Sequence, residues 1–576
     1  MAGLLTRARR FRRHGIVFLL AVLAYLPAFW WGAPHATAED RRKAWGVDDE
    51  PPLGPLAQLH DMMTPGLAPD ANLGYPMLHS YLVLGAYAPY LGFAVATGRL
   101  SSPSGEYPYG FADPVGALRD LSVIAHGLSV LLGAGIVLAA FVIGRTLWGE
   151  RDGLWAAAAT LLSFPMFYYS RTSNVDVPVL FFVASSLAVF AQLLARGVSM
   201  KGLALFSALA GLAVATKEPV AAAYLWVPFF LATPMGQWKG VRDPGRFLAG
   251  LGVAAASAFV AYAVGSGMLV DFTRWKAHID FAVMRTTEVS QGDVSFVTPN
   301  PWTRSGHIAM LGEIGGRLRD ALTLPGLLLS VVGVGLVFRR VERRGAWLVM
   351  AAVTYLLVLF VAVRIAHLRY VMPAMFVLAI MAGHAVAQLM SSSRVVVRGA
   401  AALTATAMVV VASLQAIELT SEMLRDSRYA AGEWIATVAH PGDRLEYFGA
   451  FQKNPPLPAY VESGLAVEYL GGTVAAPRDD ATADMIRAGW SQRRPRFIVL
   501  SPDHTSRPGE PYAHTVPPVI FDDLESGRLG YVRARLFQAP PLIGILSRPP
   551  LDHGSVNPPV RIYVPAGDPA AAGSGA

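Results

Sequence analysis

Apolar residues are concentrated in long runs over most of the chain, and short polar segments separate the runs. Most runs approach the roughly 20 residues that a helix needs to cross a hydrocarbon core. The pattern therefore predicts a polytopic α-helical membrane protein with about 11 to 13 helices. The apolar segments are 15–33, 75–97, 118–144, 152–168, 177–195, 202–216, 219–233, 247–266, 321–338, 345–363, 371–390 and 397–417.

The pattern changes after residue 417, where short helical and strand-like stretches alternate. Helix-then-strand units are typical of a small α/β domain. We therefore predict a transmembrane domain at 1–417, a soluble α/β domain at 418–565 and a disordered Ala/Gly-rich tail at 566–576. The elements predicted within the α/β domain are helices at 430–438 and 481–488 and strands at 444–448 and 496–500.

Composition supports the membrane assignment. Only 15% of the residues are charged and 53% are hydrophobic, whereas soluble domains carry about 25% charged residues. The chain has no cysteine, which excludes disulfides, cysteine-ligated metals and thiol catalysis. We assign the net charge of +8 to cytoplasmic loops and not to nucleic-acid binding, because membrane proteins retain Lys and Arg on that side.

Clusters of Lys and Arg predict the orientation of the chain. Alternate crossings from residue 177 onward place every later cluster in the cytoplasm, and they place the α/β domain outside. The cytoplasmic clusters are the N-terminal arginines and the segments 196–201, 239–246, 339–344 and 394–398.

The front half of the chain satisfies this orientation only if one early apolar segment is not a full crossing. The segment 75–97 is our choice because it contains Pro76 and Pro89, which leaves about eleven spans. We also expect the first helix to remain in the protein, although Ala36-Thr37-Ala38 resembles the cleavage site of a signal peptide.

Two long outer loops follow from this topology, at 34–74 and 267–320. The first is polar and rich in proline, and it contains a predicted short helix near 53–63. Loops of this length are usually functional or disordered.

Three adjacent acids follow the first helix, namely Asp48, Asp49 and Glu50. Their mutual repulsion raises at least one pKa unless a cation or partner compensates. Such a cluster suits a general base, a metal site or a gate. The alternative is a solvated acidic loop.

Polar residues at the ends of later apolar segments are further candidates. His79 and Arg171 could contact a substrate or stabilise local structure. Asp176 opens a predicted helix, where an acid either stabilises the helix N-terminus or faces a cleft. Lys217 and Glu218 stand at a break between two apolar segments, and ionisable residues in such places are functional candidates. A structural charge pair is the alternative.

Potential cations gather at 364–369, next to an outer membrane boundary. Arg364, His367 and Arg369 precede Tyr370, and arginine binds phosphate oxygens through its planar fork. The cluster therefore predicts a phosphate site, with a basic loop that has no ligand as the alternative.

Taken in order, these motifs resemble those of the GT-C superfamily of polyprenyl-phosphate-sugar-dependent glycosyltransferases. The closest branch holds the protein O-mannosyltransferases and lipid A aminoarabinose transferases (glycosyltransferase family 39 and its relatives). Tyr75 stands where members have His or Lys, and Glu218 where Gly is frequent. The matching stretches are Asp49-Glu50, Tyr75-Pro76-Met77-Leu78, Arg171 to Pro178, Gly211 to Pro219 and Arg369-Tyr370-Val371-Met372-Pro373.

The resemblance implies transfer of a sugar from a polyprenyl-phosphate carrier to a lipid, glycan or protein acceptor at the outer face of a bacterial cytoplasmic membrane. The family's reaction is an inverting displacement at the anomeric carbon. The resemblance assigns the base to Asp49, with Asp48 as the alternative base and Asp48 and Glu50 as helpers. Asp176, the fourth member of the catalytic set, would orient the acceptor or help to bind a divalent cation.

The resemblance also assigns substrate binding and a metal site. A divalent cation, Mg²⁺ or Mn²⁺, could bridge Asp49 and Asp176 to the phosphate, and no organic cofactor is expected. The residues assigned to substrate binding are His79, Arg171, Lys217, His367, Arg369 and Tyr370.

Other functions remain open from the residues alone. A transporter would also have many helices and buried charges, but we find no internal inverted repeat of the kind that marks many transporters. A polysaccharide polymerase or ligase with a diphosphate-linked donor would be expected to carry more outer arginines. A non-catalytic scaffold would tolerate loss of the acids.

Overall fold

The structure is a computed structural model of the chain. It describes residues 2–33, 44–46, 48–64, 74–236, 244–291, 299–339, 343–449, 453–470, 479–502, 516–544, 548–551 and 556–573. The chain forms two compact units that each combine distant stretches of sequence. We call residues 1–29, 54–87 and 125–416 the helical unit, and residues 30–53, 88–124 and 417–576 the sheet unit.

Helices provide the regular structure of the described chain up to residue 424. A 3₁₀ helix at Glu218–Tyr224 and a π-helical turn at Leu359–Val363 join the series. The α-helices are α1 (Ala2–Tyr25), α2 (Gly54–Met63), α3 (Leu78–Ala96), α4 (Pro114–Leu147), α5 (Glu150–Leu161), α6 (Phe164–Tyr169), α7 (Asp176–Arg196), α8 (Met200–Val214), α9 (Val227–Leu231), α10 (Pro244–Gly265), α11 (Phe272–Gln291), α12 (Arg304–Arg339), α13 (Arg343–Val358), α14 (Met372–Met390) and α15 (Val395–Leu424).

Seven helices in the described residues are long and apolar enough to cross a membrane. The prediction of a polytopic helical membrane protein is thereby confirmed, and the described residues contain fewer helices of full membrane-spanning length than the predicted number of about 11 to 13. The seven are Pro114–Leu147, Asp176–Arg196, Pro244–Gly265, Arg304–Arg339, Arg344–Val363, Met372–Met390 and the stretch Val395–Val438.

Part of the difference arises where proline begins a new helix. The predicted segment 219–233 forms the 3₁₀ helix and then α9, with Pro219 and Pro228 in their first turns. The segment 152–168 divides into α5 and α6, and Pro165 stands in the first turn of α6. Proline has no amide hydrogen to donate to the preceding turn, so it is tolerated where a helix starts and disfavoured inside one.

Other predicted segments also take a defined form. The predicted short helix near 53–63 is present as α2, and α3 continues through Pro89 over 19 residues. The predicted outer segment 267–320 is largely helical, because α11 and the first half of α12 lie within it. The backbone of α12 leaves helical geometry at Thr323 (φ 65°), two residues before Pro325.

Glycine allows several helices of the helical unit to approach closely. A Cβ added at Gly333 of α12 would lie 2.0 Å from the carbonyl oxygen of Met381 in α14. A Cβ added at Gly211 of α8 would lie 2.2 Å from the carbonyl oxygen of Ala258 in α10. Such contacts are typical of membrane helices, where small residues let backbones pack together.

The sheet unit contains a five-stranded sheet with the order β2-β1-β3-β5-β4. β1 pairs in parallel with β2 and β3, while β5 is antiparallel to β3 and β4. The predicted C-terminal α/β domain is therefore confirmed. The strands are β1 (Arg444–Phe448), β2 (Ala466–Tyr469), β3 (Phe497–Leu500), β4 (Tyr531–Phe537) and β5 (Val560–Pro565), and the helices are α16 (Ser427–Val438), α17 (Ala459–Glu462), α18 (Asp480–Arg493) and α19 (Pro518–Glu525).

Both faces of this sheet are covered. Alternate residues of β3 belong to different hydrophobic clusters, with Phe497 and Val499 in one and Ile498 and Leu500 in the other. Residues of α16 join the first cluster, and residues of α18 and α19 join the second. Burial on both faces explains why β3 is a continuous apolar run rather than an alternating one.

The predicted disordered tail at 566–576 needs correction over its described part. Residues Pro569–Gly573 form a 3₁₀ helix, and Ala570 and Ala571 pack against the first cluster. Asp568 accepts a hydrogen bond from Arg496 at 2.9 Å, and this contact lowers the pKa of Asp568. Small residues thus serve as packing contacts here, so their abundance misled the prediction. Residues 574–576 lie outside the described part.

Candidate functional site

A cavity of about 130 Å³ lies in the helical unit. Its lining is mostly apolar and includes a few charged and polar side chains, which is the usual character of a ligand site. The lining residues are Asp176, Val179, Lys217, Pro219, Val220, Tyr355, Leu359, Val363, Arg369, Tyr370, Met372 and Pro373.

Lys217 and Asp176 form an ion pair in this lining. The Nζ atom of Lys217 donates a hydrogen bond to Oδ1 of Asp176 at 2.7 Å, and their side chains are 14% and 7% exposed. Asp176 is the first residue of α7, and Lys217 is extended between α8 and the 3₁₀ helix. Removal of either partner would leave a buried charge without its counterion, which is strongly destabilising.

Aromatic rings hold the cations of the cavity in place. The Nζ atom of Lys217 lies 5.5 Å from the ring centroid of Tyr75 and 5.2 Å from that of Tyr370. The guanidinium carbon of Arg369 lies 5.4 Å from the Tyr370 ring. Tyr370 therefore contacts both cations, and each contact is attractive because the ring face is electron-rich.

Arg369 and Tyr370 occupy the turn before α14. Met372 and Pro373 begin that helix, and proline in its first turn allows the chain to turn sharply there. Arg369 is buried and lines the cavity. The structure thus gathers Asp176, Lys217, Arg369 and Tyr370, four of the predicted site residues, around one cavity.

His367 and Arg364 lie near this group, but the described lining includes neither of them. His367 packs edge-on against Tyr370, with ring centroids 4.9 Å apart. Arg364 donates hydrogen bonds to the carbonyls of Asn300 and Pro301. Arg364 therefore anchors the segment that contains Asn300 and Pro301. His367 contacts Tyr370, which itself lines the cavity.

Arg171 performs a structural task in the described contacts. Its guanidinium donates to the carbonyl oxygens of Tyr25 at 3.2 Å and Ala24 at 3.3 Å, at the C-terminal end of α1. The last carbonyls of a helix lack intrahelical donors, and a cation there is favourable. The proposed role in substrate binding gains no support from this arrangement, because Arg171 is not among the described lining residues.

His79 also joins two parts of the helical unit. Its Nε2 atom lies 2.8 Å from the carbonyl oxygen of Ser173, and the ring is buried. Ser173 precedes Asp176 by three residues, so His79 links the start of α3 to the segment that leads into α7. It does not appear in the described cavity lining.

The acidic residues Asp48, Asp49 and Glu50 belong to the sheet unit. Asp49 is buried, and its Oδ2 atom accepts a hydrogen bond from the amide of Gly46 at 3.0 Å. Asp48 has a left-handed backbone (φ 53°), a conformation that Asp tolerates better than most residues. Burial, and then the charge of Asp49, raises the pKa of Glu50 to about 7, which suits proton transfer near neutral pH.

Sequence reasoning missed a second group of residues in the helical unit. A narrow cavity is lined in part by Tyr75, Asp271, Arg274 and His278. Arg274 is buried with Nη1 3.4 Å from Oδ2 of Asp61. The signal was present, because Arg274 and His278 are four residues apart and share one face of α11. The polar composition of the segment 267–320 predicts a loop and conceals this helical spacing.

The residue Glu218 is tied to this second group. His278 forms a short hydrogen bond through Nε2 with Oε1 of Glu218. Glu218 directly follows Lys217 in the chain. Lys217 lines the first cavity, whereas Glu218 contacts His278, which lines the second. Tyr355, which lines the first cavity, was also not predicted.

The predicted divalent cation finds little support in the donor set. Among the described residues, no group of three or more His, Asp or Glu side chains stands close enough to hold a metal ion. Asp176 already accepts a hydrogen bond from the Lys217 ammonium, and a divalent cation next to that charge would be repelled. The residues at the cavity therefore fit an anion better than a metal.

An anionic oxygen group with an apolar chain matches the first cavity best. Lys217 and Arg369 supply positive charge, and Tyr355 and Tyr370 also line the cavity. Cations in a preorganised site stabilise charge that develops on a leaving oxygen. The apolar residues of the lining suit a hydrocarbon chain better than a free, hydrated anion.

Residues 121–262 match the family model of dolichyl-phosphate-mannose-protein mannosyltransferase. This stretch contains Asp176 and Lys217. No curated protein sequence matches the chain.

Several solved structures are partly similar to the chain. An archaeal oligosaccharyltransferase, AglB from Archaeoglobus fulgidus in complex with an inhibitory peptide and a dolichol-phosphate, is 11% identical with a TM-score of 0.46, over 85% of this chain and 69% of that one. ArnT from Cupriavidus metallidurans bound to undecaprenyl phosphate is 14% identical with a TM-score of 0.40, over 84% and 93%. The mycobacterial arabinofuranosyltransferase AftD is 14% identical with a TM-score of 0.39, over 97% and 42%.

The family-model match falls on a stretch that contains two of the motifs, Arg171 to Pro178 and Gly211 to Pro219. The predicted resemblance to protein mannosyltransferases is thus confirmed over residues 121–262, which match that family's model.

Proposed function

We propose that the protein is a membrane glycosyltransferase that transfers a sugar from a polyprenyl-phosphate carrier to an acceptor at the extracytoplasmic face of a bacterial cytoplasmic membrane. The observation that carries the proposal is the cavity whose lining combines the cations Lys217 and Arg369 with apolar residues. A lipid phosphate needs both kinds of surface. The match of residues 121–262 to a family that uses such donors supports it.

In the proposed reaction, a hydroxyl oxygen of the acceptor attacks the anomeric carbon of the donor sugar. The bond between that carbon and the phosphate oxygen breaks, and the polyprenyl phosphate leaves with the bonding electrons. The hydroxyl proton passes to a carboxylate, which the resemblance assigns to Asp49. Lys217 and Arg369 stabilise the charge that grows on the departing phosphate.

Asp176 has a supporting role in this scheme. Its hydrogen bond of 2.7 Å holds Lys217 Nζ at the cavity wall. Without that bond, the flexible lysine side chain would sample several positions, and its charge would be less well aligned with the phosphate. No step of the proposed reaction passes through a metal ion.

Transfer is tested with purified protein in lipid nanodiscs. Polyprenyl-phosphate sugars are supplied as a panel, a membrane extract supplies acceptors, and released polyprenyl phosphate is quantified. We expect Asp49→Asn to lower kcat about 100-fold or more, because general base catalysis contributes factors of this size. Asp480→Asn, a change at an exposed carboxylate of α18, is the matched control. Absence of release from every donor by folded wild type would overturn the proposal and favour a transporter or scaffold.

Donor binding is tested separately from turnover. We expect Arg369→Gln to weaken binding of undecaprenyl phosphate about tenfold, since one charge-assisted hydrogen bond is worth about that factor. The exposed Arg398→Gln serves as control. The double variant Lys217→Met with Asp176→Asn removes both members of the buried pair and should bind weakly while remaining folded. Unchanged affinity in both variants would exclude this cavity as the phosphate site.

A further inference from the structure

Residues that precede the acids Asp48, Asp49 and Glu50 contact the start of α16 within the sheet unit. Residues 30–53 and 417–576 belong to the same compact unit although they are far apart in sequence. The described contacts between these stretches include a cluster of aromatic and charged residues, which we call the clamp. Its members are Trp31, Gly32, Trp45, Asp426, Arg428 and Tyr429.

Trp45 is held between two residues of α16. The guanidinium carbon of Arg428 lies 3.7 Å from the Trp45 ring centroid, and the Tyr429 ring lies 4.7 Å away. Arg428 is fully buried, and a buried guanidinium makes a stronger contact with an aromatic face than an exposed one does. The Trp45 ring therefore has little freedom to move.

Asp426 locks Arg428 in this orientation. Its carboxylate accepts hydrogen bonds from Nε of Arg428 at 2.8 Å and from Nη2 at 2.7 Å. The same carboxylate accepts a bond of 3.1 Å from Nε1 of Trp31 and one of 2.8 Å from the amide of Asn557. A buried charge pair with so many satisfied hydrogen bonds is rigid.

The backbones of Gly32 and Trp45, two members of the clamp, also lie close together. The amide of Gly32 donates to the hydroxyl of Tyr429 at 3.2 Å, and the amide of Trp45 donates to the carbonyl of Gly32 at 3.2 Å. Gly32 has a positive φ of 70°, and a Cβ there would lie 2.5 Å from Cβ of Trp45. Both requirements exclude residues other than glycine at this point.

A short turn connects the clamp to the predicted base. Trp45 is followed by Gly46, whose amide donates to Oδ2 of Asp49 at 3.0 Å. The amide of Asp49 donates in return to the carbonyl of Gly46 at 3.2 Å. A Cβ at Gly46 would lie 2.4 Å from the same carboxylate oxygen. The position of the Asp49 carboxylate is therefore coupled to that of Trp45.

We propose that Arg428 and Trp45 are positioning residues, which hold the turn from Gly46 to Asp49 so that the carboxylate of Asp49 is oriented for proton transfer. This inference rests on the proposed function, in which Asp49 is the base. Arg428 lies in α16 of the C-terminal α/β domain, so the proposal gives that domain a role in catalysis. Catalysis is sensitive to this kind of alignment, because a displacement of about 1 Å costs about 100-fold in rate.

The order of the turn is measured first, by hydrogen exchange of the amides of Gly46 and Asp49 in the full-length protein. Arg428→Lys retains the charge but loses the planar fork and its stacking on Trp45. Trp45→Leu removes the ring, and Trp45→Phe restores an aromatic face. We expect exchange about tenfold faster in the first two variants, with partial recovery in Trp45→Phe.

A matched control exists elsewhere in the sheet unit. Arg496 pairs with Asp568 and lies 5.1 Å from the ring centroid of Phe497, so Arg496→Lys disturbs a similar cluster that does not touch the segment 30–53 in the described contacts. We expect exchange at Gly46 and Asp49 to be unchanged in this variant. If Arg428→Lys does not fold, Tyr429→Phe provides a milder test, because it removes only the acceptor for Gly32.

Kinetics then separate positioning from simple structural support. We expect kcat to fall about 100-fold in Arg428→Lys and Trp45→Leu, with the donor KM within about twofold of wild type. A lower thermal stability alone would not produce that split. Trp45→Phe should recover part of kcat.

Each result has a defined meaning. Unchanged exchange in Arg428→Lys and Trp45→Leu would overturn the proposal whatever the turnover. Faster exchange with an unchanged kcat, or with only a raised donor KM, would also overturn it while the proposed function stands. If wild type shows no transfer, the proposed function fails and the clamp loses its catalytic purpose, even where the exchange data show that it orders the turn.

Discussion

Lys217, Arg171 and Arg364 are all cations at helix ends, yet their partners give them different roles. Lys217 pairs with a carboxylate at a cavity wall, whereas Arg171 and Arg364 donate to backbone carbonyls. A backbone carbonyl is needed wherever a chain turns, so such bonds are mainly architectural. Lys217 differs from both arginines because it also lines a cavity. The combination of a side-chain partner and a place in the cavity lining therefore distinguishes Lys217 from Arg171 and Arg364.

Glu50 leads to a prediction about pH. Because burial raises its pKa from 4.5 to about 7, the unfolded chain releases this proton at lower pH than the folded chain does. The stability that the neutral carboxyl contributes is therefore fully present below pH 4.5 and is lost as the pH rises to about 7. Glu50→Gln keeps this side chain neutral at every pH.

We expect Glu50→Gln and wild type to unfold at similar temperatures near pH 4.5, and the variant to be more stable by a few degrees at pH 8. Thermal unfolding of both proteins in nanodiscs across this range checks the difference. Glu433→Gln, at an exposed position of α16, should show no such trend. A constant difference between Glu50→Gln and wild type at all pH values would contradict the prediction.

At the scale of elements, close helix packing is decided by individual glycines. Gly333 and Gly335 both lie on α12, but only Gly333 faces a neighbouring backbone, that of α14 at Met381. Nothing lies within 4 Å of a Cβ added at Gly335. The two positions therefore form a matched pair for testing the packing.

We expect Gly333→Val to lower the stability of the protein by about 1–3 kcal/mol, because overpacking forces the two helices apart. Gly335→Val should change it little, since valine at that position meets open space. Thermal unfolding in nanodiscs, followed by size-exclusion chromatography, measures both. Equal effects of the two substitutions would mean that α12 and α14 do not approach closely at Gly333.

Regular elements with a strong local pattern were predicted well. The strand at 444–448 coincides with β1, and the helix at 430–438 lies within α16. Apolar runs interrupted by proline were predicted less well, because hydrophobicity reports burial and not helix length. The polar residues of the segment 267–320 predict a loop, although α11 carries Arg274 and His278 at helical spacing.

At the scale of the whole molecule, the distribution of Lys and Arg predicts which parts face the cytoplasm. Since the chain has no cysteine, single cysteines can report this directly. Ser393→Cys lies between α14 and α15, and Ser463→Cys lies between α17 and β2. Both serines are exposed.

We expect a membrane-impermeant thiol reagent to label Ser463→Cys in intact spheroplasts, and Ser393→Cys only after permeabilisation. The physical reason is that the cluster 394–398 remains in the cytoplasm while α15 carries the chain across. The cysteine-free wild type is the control for background labelling. The reverse pattern would invert the topology and would require an active site at the cytoplasmic face.

The sequence alone determined that this is a helical membrane protein with a C-terminal α/β domain, because apolar runs and alternating short elements are local patterns. It also identified Asp176, Lys217, Arg369 and Tyr370 through ordered motifs. Only the tertiary structure decided that these four residues line one cavity. The same holds for the contacts of Trp31, Gly32 and Trp45 with residues 426–429, since side chains far apart in sequence meet only after folding, and no local pattern records their distance.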